Sequence, residues 1–140
     1  VLVCRNVGIE TPKVAVAAAV ETVNQKMEAT LHASALKAMN REGILTGCVV
    51  DGPFAIDIAV SRESALHKGI DSPVAGDCDV ILAPDIEAGN MLYKALNFLG
   101  GAMCAAVIVG ALVPVVLTSR ADDERSKLYS IALAACMGKR

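Results

Sequence analysis

An α/β fold built on a parallel sheet is what this 140-residue sequence predicts, on three observations. β-like and helix-like runs alternate along the chain, the order that gives a parallel sheet with helices packed on it. Hydrophobic residues make up 54% of the chain and aromatic residues only 3%, so Ala, Val, Ile and Leu carry the excess, as in strands covered on both faces. The conspicuous polar residues fall mostly in turns that follow β-like runs, where such sheets bind their ligands. The length suffices for one domain with a sizeable core.

The elements follow in order. VLVCRNVGIE reads as the end of a helix already in progress, which raises the expectation that the chain is part of a longer one. PKVAVAAAV is a β-like run opened by Pro12. ATLHASALKAMNREG reads as a helix with Thr30 as N-cap, Leu31, Ala35, Leu36 and Met39 on one face, and Gly43 as its stop. ILTGCVVDGP is a strand ending in a turn. FAIDIAVSRESALHKG is a second helix, with Asp57 suited to its first turns, His67 to its last and Gly69 as its stop. DCDVILAPD is a further strand. IEAGNMLYKALNFLG is a third helix with Met91, Leu92, Ala95, Leu96 and Leu99 facing inward. Within it Gly89 suggests the close approach of a backbone or ligand. AAVIVG and VPVVLTS are two short β-rich runs. DDERSKLYSIALAACMG is a last helix, stopped at Gly138.

Composition excludes several function classes. A net charge of −2 and the absence of a basic cluster interleaved with aromatics argue against nucleic acid. The five cysteines form no C-x-x-C pair and neither His32 nor His67 lies near one, so no zinc site is expected. Their odd number points to reduced thiols and a cytoplasmic protein. No charged residue occurs from Ala95 to Ser119, a length that spans a bilayer, but Gly100-Gly101 and Pro114 interrupt it. Two buried strands therefore account for it better than a membrane helix. There is no Gly-x-Gly-x-x-Gly after a strand, no phosphate loop with lysine and no Ser-His-Asp spacing.

What remains is a set of turns: residues 21–29, Asp51-Gly52-Pro53, Pro84-Asp85 and Thr118-Ser119-Arg120. Asp85 is a natural N-cap with Glu87 in the first turn behind it. Glu87, Asn90, Lys94 and Asn97 repeat at helical spacing, usually a solvated face. Ser119 and Asp122 make an S-x-x-D capping box. Capping explains Ser119, but Arg120 sits at the unfavourable end of a helix dipole. Its guanidinium therefore faces solvent, pairs with Asp122, Asp123 or Glu124, or receives an anion such as phosphate at the helix N-terminus.

The stretches PKVAVAAAVETVNQKMEATLHA, VVDGPFAIDIAVS, SPVAGDCDVILAPDIEAGNMLYKAL and PVVLTSRADDERSKLYSIALA together resemble the phosphate acyltransferases. Within that family they are most similar to the phosphate butyryltransferases, relatives of the phosphate acetyltransferases. The likeness runs through nearly the whole chain and is to the C-terminal half of longer proteins. Its most specific part is the combination of PDIEAGN with LTSRAD.

The resemblance implies part of an isocitrate-dehydrogenase-like fold, a parallel-sheet sandwich of two α/β domains with the active cleft between them. Residues 1–111 would form most of the second, inserted domain. Residues 112–140 would return to the first domain with the Ser-Arg motif. The implied reaction moves an acyl group between coenzyme A and inorganic phosphate, butyryl-CoA and phosphate giving butyryl phosphate and CoA. CoA is a substrate and no bound cofactor or metal is implied. The catalytic residues would be Ser119, Arg120 and Asp122. Thr118, Gly52, Pro53, Asp85, Glu87 and Asn90 would line the substrate cleft.

Two positions depart from the family pattern. Ser126 stands where the acetyl relatives carry an aspartate base, and Leu112-Val113 where butyryl relatives often carry a lysine. The implied partners are acyl-CoA and phosphate, with neither nucleic acid nor membrane, in a homo-oligomer. Two alternatives accompany this reading: a non-catalytic fragment or degenerate relative that only binds or assembles, and a decarboxylating dehydrogenase relative. The second would need paired metal-binding aspartates, and no such motif is clear.

Overall fold

In a computed structural model, which describes residues 1–120 and 122–138, three parallel strands form one sheet in the order β2-β1-β3. These are β1, Lys13–Ala17; β2, Val49–Phe54; and β3, Val80–Leu82. Val14 pairs with Val50 on one side and Val80 on the other. Side chains alternate across the central strand, so each face receives its own core. On one face Val14, Val16 and Val50 pack with Ala33 and Leu36 of helix α2, Glu28–Arg41. On the other, Ala15 and Phe54 pack with Ile58, Ala59 and Ala65 and with Val74 and Ala75. Those helical residues come from α3, Ile56–Val60, and α4, Arg62–His67. The expected α/β fold with its parallel sheet is the one observed. It is also why small aliphatic residues dominate: both faces of β1 are covered, and Val14 to Ala17 are all buried.

Several elements differ from expectation. A short α1, Leu2–Asn6, precedes β1 and touches the last helix. The N-cap of α2 is Met27, and Thr30 lies inside the first turn, fully buried. Its hydroxyl donates to the Met27 carbonyl at 2.7 Å and accepts from the Asn24 amide at 2.9 Å, which lets a polar residue enter the core. The buried face of α2 therefore runs through Thr30 and Ala33, with Ala35 exposed.

β2 begins later than its apolar run and continues through Asp51, Gly52, Pro53 and Phe54, so the expected turn is part of the strand. The pairing shifts register between Ala15 and Ala17 to admit Gly52-Pro53. The expected single helix over 54–69 breaks at Ser61. There the Ile58 carbonyl accepts the amide of Gly76 at 2.8 Å, and the Ser61 hydroxyl accepts from Ser64 to cap α4. Gly69 ends α4 with φ +66°.

α5 spans Ile86–Lys94 and passes into a π-helical turn, Ala95–Leu99. Its expected inner face is not covered: Met91 is 73% and Leu99 88% exposed. The runs at 105–110 and 113–119 do not form buried strands. They meet in one isolated antiparallel bridge, Ile108 with Val115, and Leu112 is 95% exposed. A β-rich run becomes a strand only beside a partner, and among the described residues these have none but each other. α6 is Glu124–Met137, with Gly138 after it as expected, but its N-cap is Asp123 and not Ser119. Among the described residues no helix is long and apolar enough to cross a membrane.

Candidate functional site

Because the three strands are parallel, their carboxyl ends lie at one edge of the sheet, and three of the selected turns gather there, 21–29, Asp51-Gly52-Pro53 and Pro84-Asp85. At the end of β2, Gly52 holds φ +151°, and a Cβ on it would lie 2.6 Å from the Val16 carbonyl oxygen. Only glycine allows the neighbouring strand that close. Gly52 and Pro53 form one wall of a cleft of about 510 Å³ whose other walls include Glu21, Ser34, Lys37 and Arg41. Beneath it lies Asp51, which is buried. It pairs with Lys37, accepts the Ser72 hydroxyl at 2.7 Å and accepts the Gly52 amide at 2.8 Å. Burial alone would push this carboxyl up. The hydrogen bonds from Lys37, Ser72 and Gly52, with the lysine charge, outweigh burial and hold it below the ordinary carboxylate range.

Past β3, Asp85 caps α5 by accepting the Ala88 amide at 2.7 Å, as expected of it. Glu87 and Asn90 follow on α5, both exposed. An added Cβ at Gly89 would meet the Ala83 side chain at an ordinary 3.5 Å, so no backbone crowds that position.

The last of the selected turns carries Thr118, Ser119 and Arg120. Thr118 and Ser119 are half-buried and Arg120 is exposed. Asp122 supplies its side of the expected capping box. Asp122 reaches back so that its Oδ2 accepts the Ser119 amide at 2.7 Å, while its own amide donates to the Ser119 carbonyl at 3.1 Å. The pair closes a turn ahead of α6 and leaves the cap to Asp123, which accepts the Ser126 amide at 2.7 Å. Bonds from the Ser126 amide and hydroxyl hold the Asp123 carboxyl below its usual range. Ser126 is buried and joined to that cap.

Asp122 is itself buried, and its Oδ1 accepts the Tyr93 hydroxyl at 2.9 Å. Desolvation, and then the hydrogen bond to this carboxylate, push the Tyr93 phenol up. Tyr93 belongs to α5, one turn beyond Asn90. The α5 residues and the Ser119-Arg120 turn are thus tied by one side-chain bond. No hydrogen bond or ion pair among the described residues ties Gly52 and Pro53 to that turn.

Tyr93, Lys37 and Ser72 stand in no motif of the sequence, and Asp51 stands there only as a turn residue. Tyr93 had one signal, being one of two tyrosines in a chain with 3% aromatics. Lys37 and Ser72 had none, because their roles depend on pairing across α2, β2 and the segment before Val74. Among the described residues no group of three His, Cys, Asp or Glu could hold a metal, and the five cysteines are free thiols.

Comparison with known proteins gives a consistent picture. The family described as "Phosphate acetyl/butaryl transferase" matches residues 1–135. The chain is 58% identical over 135 residues to a phosphate acetyltransferase of Thermotoga maritima, covering 96% of this chain and 46% of that protein. It is 51% identical over 135 residues to a phosphate butyryltransferase of Clostridium acetobutylicum, covering 96% and 45%. Among solved structures, a branched-chain phosphotransacylase from Enterococcus faecalis V583 superposes with a TM-score of 0.87 at 37% identity, covering 99% of this chain and 49% of the other. The chain spans about half the length of the curated relatives it matches.

Proposed function

The chain belongs to the phosphate acetyl/butaryl transferase family, and from that premise we propose that it is the C-terminal part of an enzyme that moves an acyl group between coenzyme A and inorganic phosphate. Residues 1–111 belong in this reading to one α/β domain, and residues 112–140 return to the other. The active cleft lies between them in the full-length protein.

A phosphate oxygen attacks the thioester carbonyl of acyl-CoA. The tetrahedral species collapses with cleavage of the C–S bond, and the proton carried by the phosphate ends on the departing CoA thiol. Arg120 presents a planar fork to the phosphoryl oxygens and holds them in line with the carbonyl. The Ser119 hydroxyl donates to the oxyanion as it develops. Thr118 shapes the same turn. Gly52, Pro53, Asp85, Glu87 and Asn90 line the acyl-CoA side. The acyl group is the four-carbon one in this reading, which the likeness to butyryl-transferring relatives supports. Acetyl-transferring relatives are as similar, so initial rates with acetyl-CoA and butyryl-CoA decide that point.

One observation carries the proposal. The family model matches residues 1–135, which take in Ser119 and Arg120, and Arg120 is exposed, so its guanidinium is open to an anion. In the full-length protein, Arg120→Gln should raise the Michaelis constant for phosphate and lower turnover by roughly a hundredfold, the scale of losing a charged transition-state donor. Release of CoA thiol with a colorimetric reagent measures both. Kinetics unchanged by the substitution refute the assignment. Full-length protein that releases no thiol from either acyl-CoA favours a member that only binds or assembles.

A further inference from the structure

We propose that Asp122 and Tyr93 are positioning residues for the Ser119-Arg120 turn, with Tyr93 fixing that turn to the helix that carries Glu87 and Asn90. The proposal rests on the acyl-transfer reading of Ser119 and Arg120 given above.

Three features of Asp122 point this way. It is buried beside an exposed arginine, in a segment where most side chains face water. Its two oxygens serve two donors from different elements: Oδ2 takes the Ser119 amide and Oδ1 the Tyr93 hydroxyl, 29 residues away in sequence. Its own amide donates to the Ser119 carbonyl, so the same two residues are joined twice and the turn is closed at both ends. A carboxylate committed on both oxygens is well placed to hold geometry and poorly placed to take a proton from substrate, since a proton acceptor needs a lone pair aimed at the reacting group.

Tyr93 supplies the other anchor. It lies on α5 one turn after Asn90 and two after Ile86, on a helix whose start is fixed by the Asp85 cap. A displacement of α5 is therefore passed to the Ser119 amide through two short bonds. Acyl-CoA held along α5 and phosphate held at Arg120 are brought to a common geometry by that link. Its loss lowers turnover more than binding.

The test uses full-length protein carrying Tyr93→Phe or Asp122→Asn, with kcat and both Michaelis constants measured across pH, and with amide exchange at Ser119 followed by NMR. Tyr93→Phe removes one hydroxyl and keeps the ring. It should lower kcat about tenfold, the cost of one hydrogen bond to a charged acceptor. It should leave the Michaelis constant for acyl-CoA and the shape of the pH profile unchanged, and speed exchange of the Ser119 amide. Asp122→Asn keeps an acceptor oxygen and should lose no more than about tenfold, again with an unchanged pH profile.

A loss of about a thousandfold in Asp122→Asn, with the acid limb of the profile gone, overturns the proposal and makes Asp122 the proton acceptor. Wild-type kcat and wild-type Ser119 exchange in Tyr93→Phe overturn it as well. If the unsubstituted protein shows no acyl transfer, the acyl-transfer reading falls by itself. Ser119 exchange in Tyr93→Phe then decides the positioning link: faster exchange upholds it and unchanged exchange ends it.

Discussion

Removing the Asp51 carboxylate should be among the most damaging single changes in this chain. Asp51→Ala leaves the Ser72 hydroxyl and the Gly52 amide without their acceptor and Lys37 without its counter-ion. Each buried donor so orphaned costs about 1–3 kcal/mol. Lys37 recovers part of its loss, because its side chain is 29% exposed and can turn to water. The sum is about 3–5 kcal/mol, the usual cost of breaking a buried pair from one side. Asp51→Asn keeps the volume and one acceptor and should cost less, about 1–2 kcal/mol.

The pH dependence separates charge from packing at this position. The folded carboxyl titrates below its unfolded value. The stability it contributes is therefore present above about pH 4, where the unfolded group is ionised, and is lost as pH falls through the folded value. Urea unfolding followed by circular dichroism at pH 7 and at stepwise lower pH gives both numbers. The gap between wild type and Asp51→Asn should narrow only below about pH 4. A cost under about 1 kcal/mol for Asp51→Ala, or a gap constant down to pH 3, refutes the reasoning.

Three further substitutions test other parts of the fold by the same unfolding assay. Gly52→Ala places a methyl 2.6 Å from the Val16 carbonyl oxygen at φ +151° and should cost more than about 2 kcal/mol. Gly89→Ala meets only the Ala83 side chain at 3.5 Å and should stabilise α5 by about 0.5–1 kcal/mol. A destabilising result there would mean that a close neighbour does crowd Gly89. Thr30→Val keeps the shape but strips the hydroxyl from the Met27 carbonyl and the Asn24 amide, at about 1–3 kcal/mol.

What could be read beforehand divides along physical lines. The strands β1 and β3, the stops at Gly43, Gly69 and Gly138 and the cap at Asp85 were legible, because each depends on a few adjacent residues. The break at Ser61 was not, since it arises from Gly76 bonding the Ile58 carbonyl from eighteen residues away in sequence. The cap of α6 was misplaced by three possible acceptors standing together. Asp122 turned back to Ser119, and Asp123 was left to the helix. At the candidate site the residue types were readable, Ser119 with Arg120 and Asp85 with Glu87. Their coupling was not, because no local pattern announces that Tyr93 reaches Asp122.

The failed strands say most about how the site is held. AAVIVG and VPVVLTS have the composition of buried strands, yet among the described residues they share one antiparallel bridge, and Leu112, Val113 and Leu117 have no cover within this chain. The sheet and its two cores end before this region, so among the described residues apolar packing does little to hold residues 101–120. Discrete polar bonds hold them instead. Ser130, buried on α6, accepts the Ala106 amide at 2.9 Å and donates to the Ser126 carbonyl at 2.7 Å. Asp122 closes the Ser119 turn, and Tyr93 ties it to α5. A core absorbs a lost contact through many neighbours, whereas a segment held by a few bonds moves as a unit when one is removed. The geometry around Ser119 and Arg120 should therefore be far more sensitive to a single hydroxyl on α5 than to the loss of any one methyl group from the sheet.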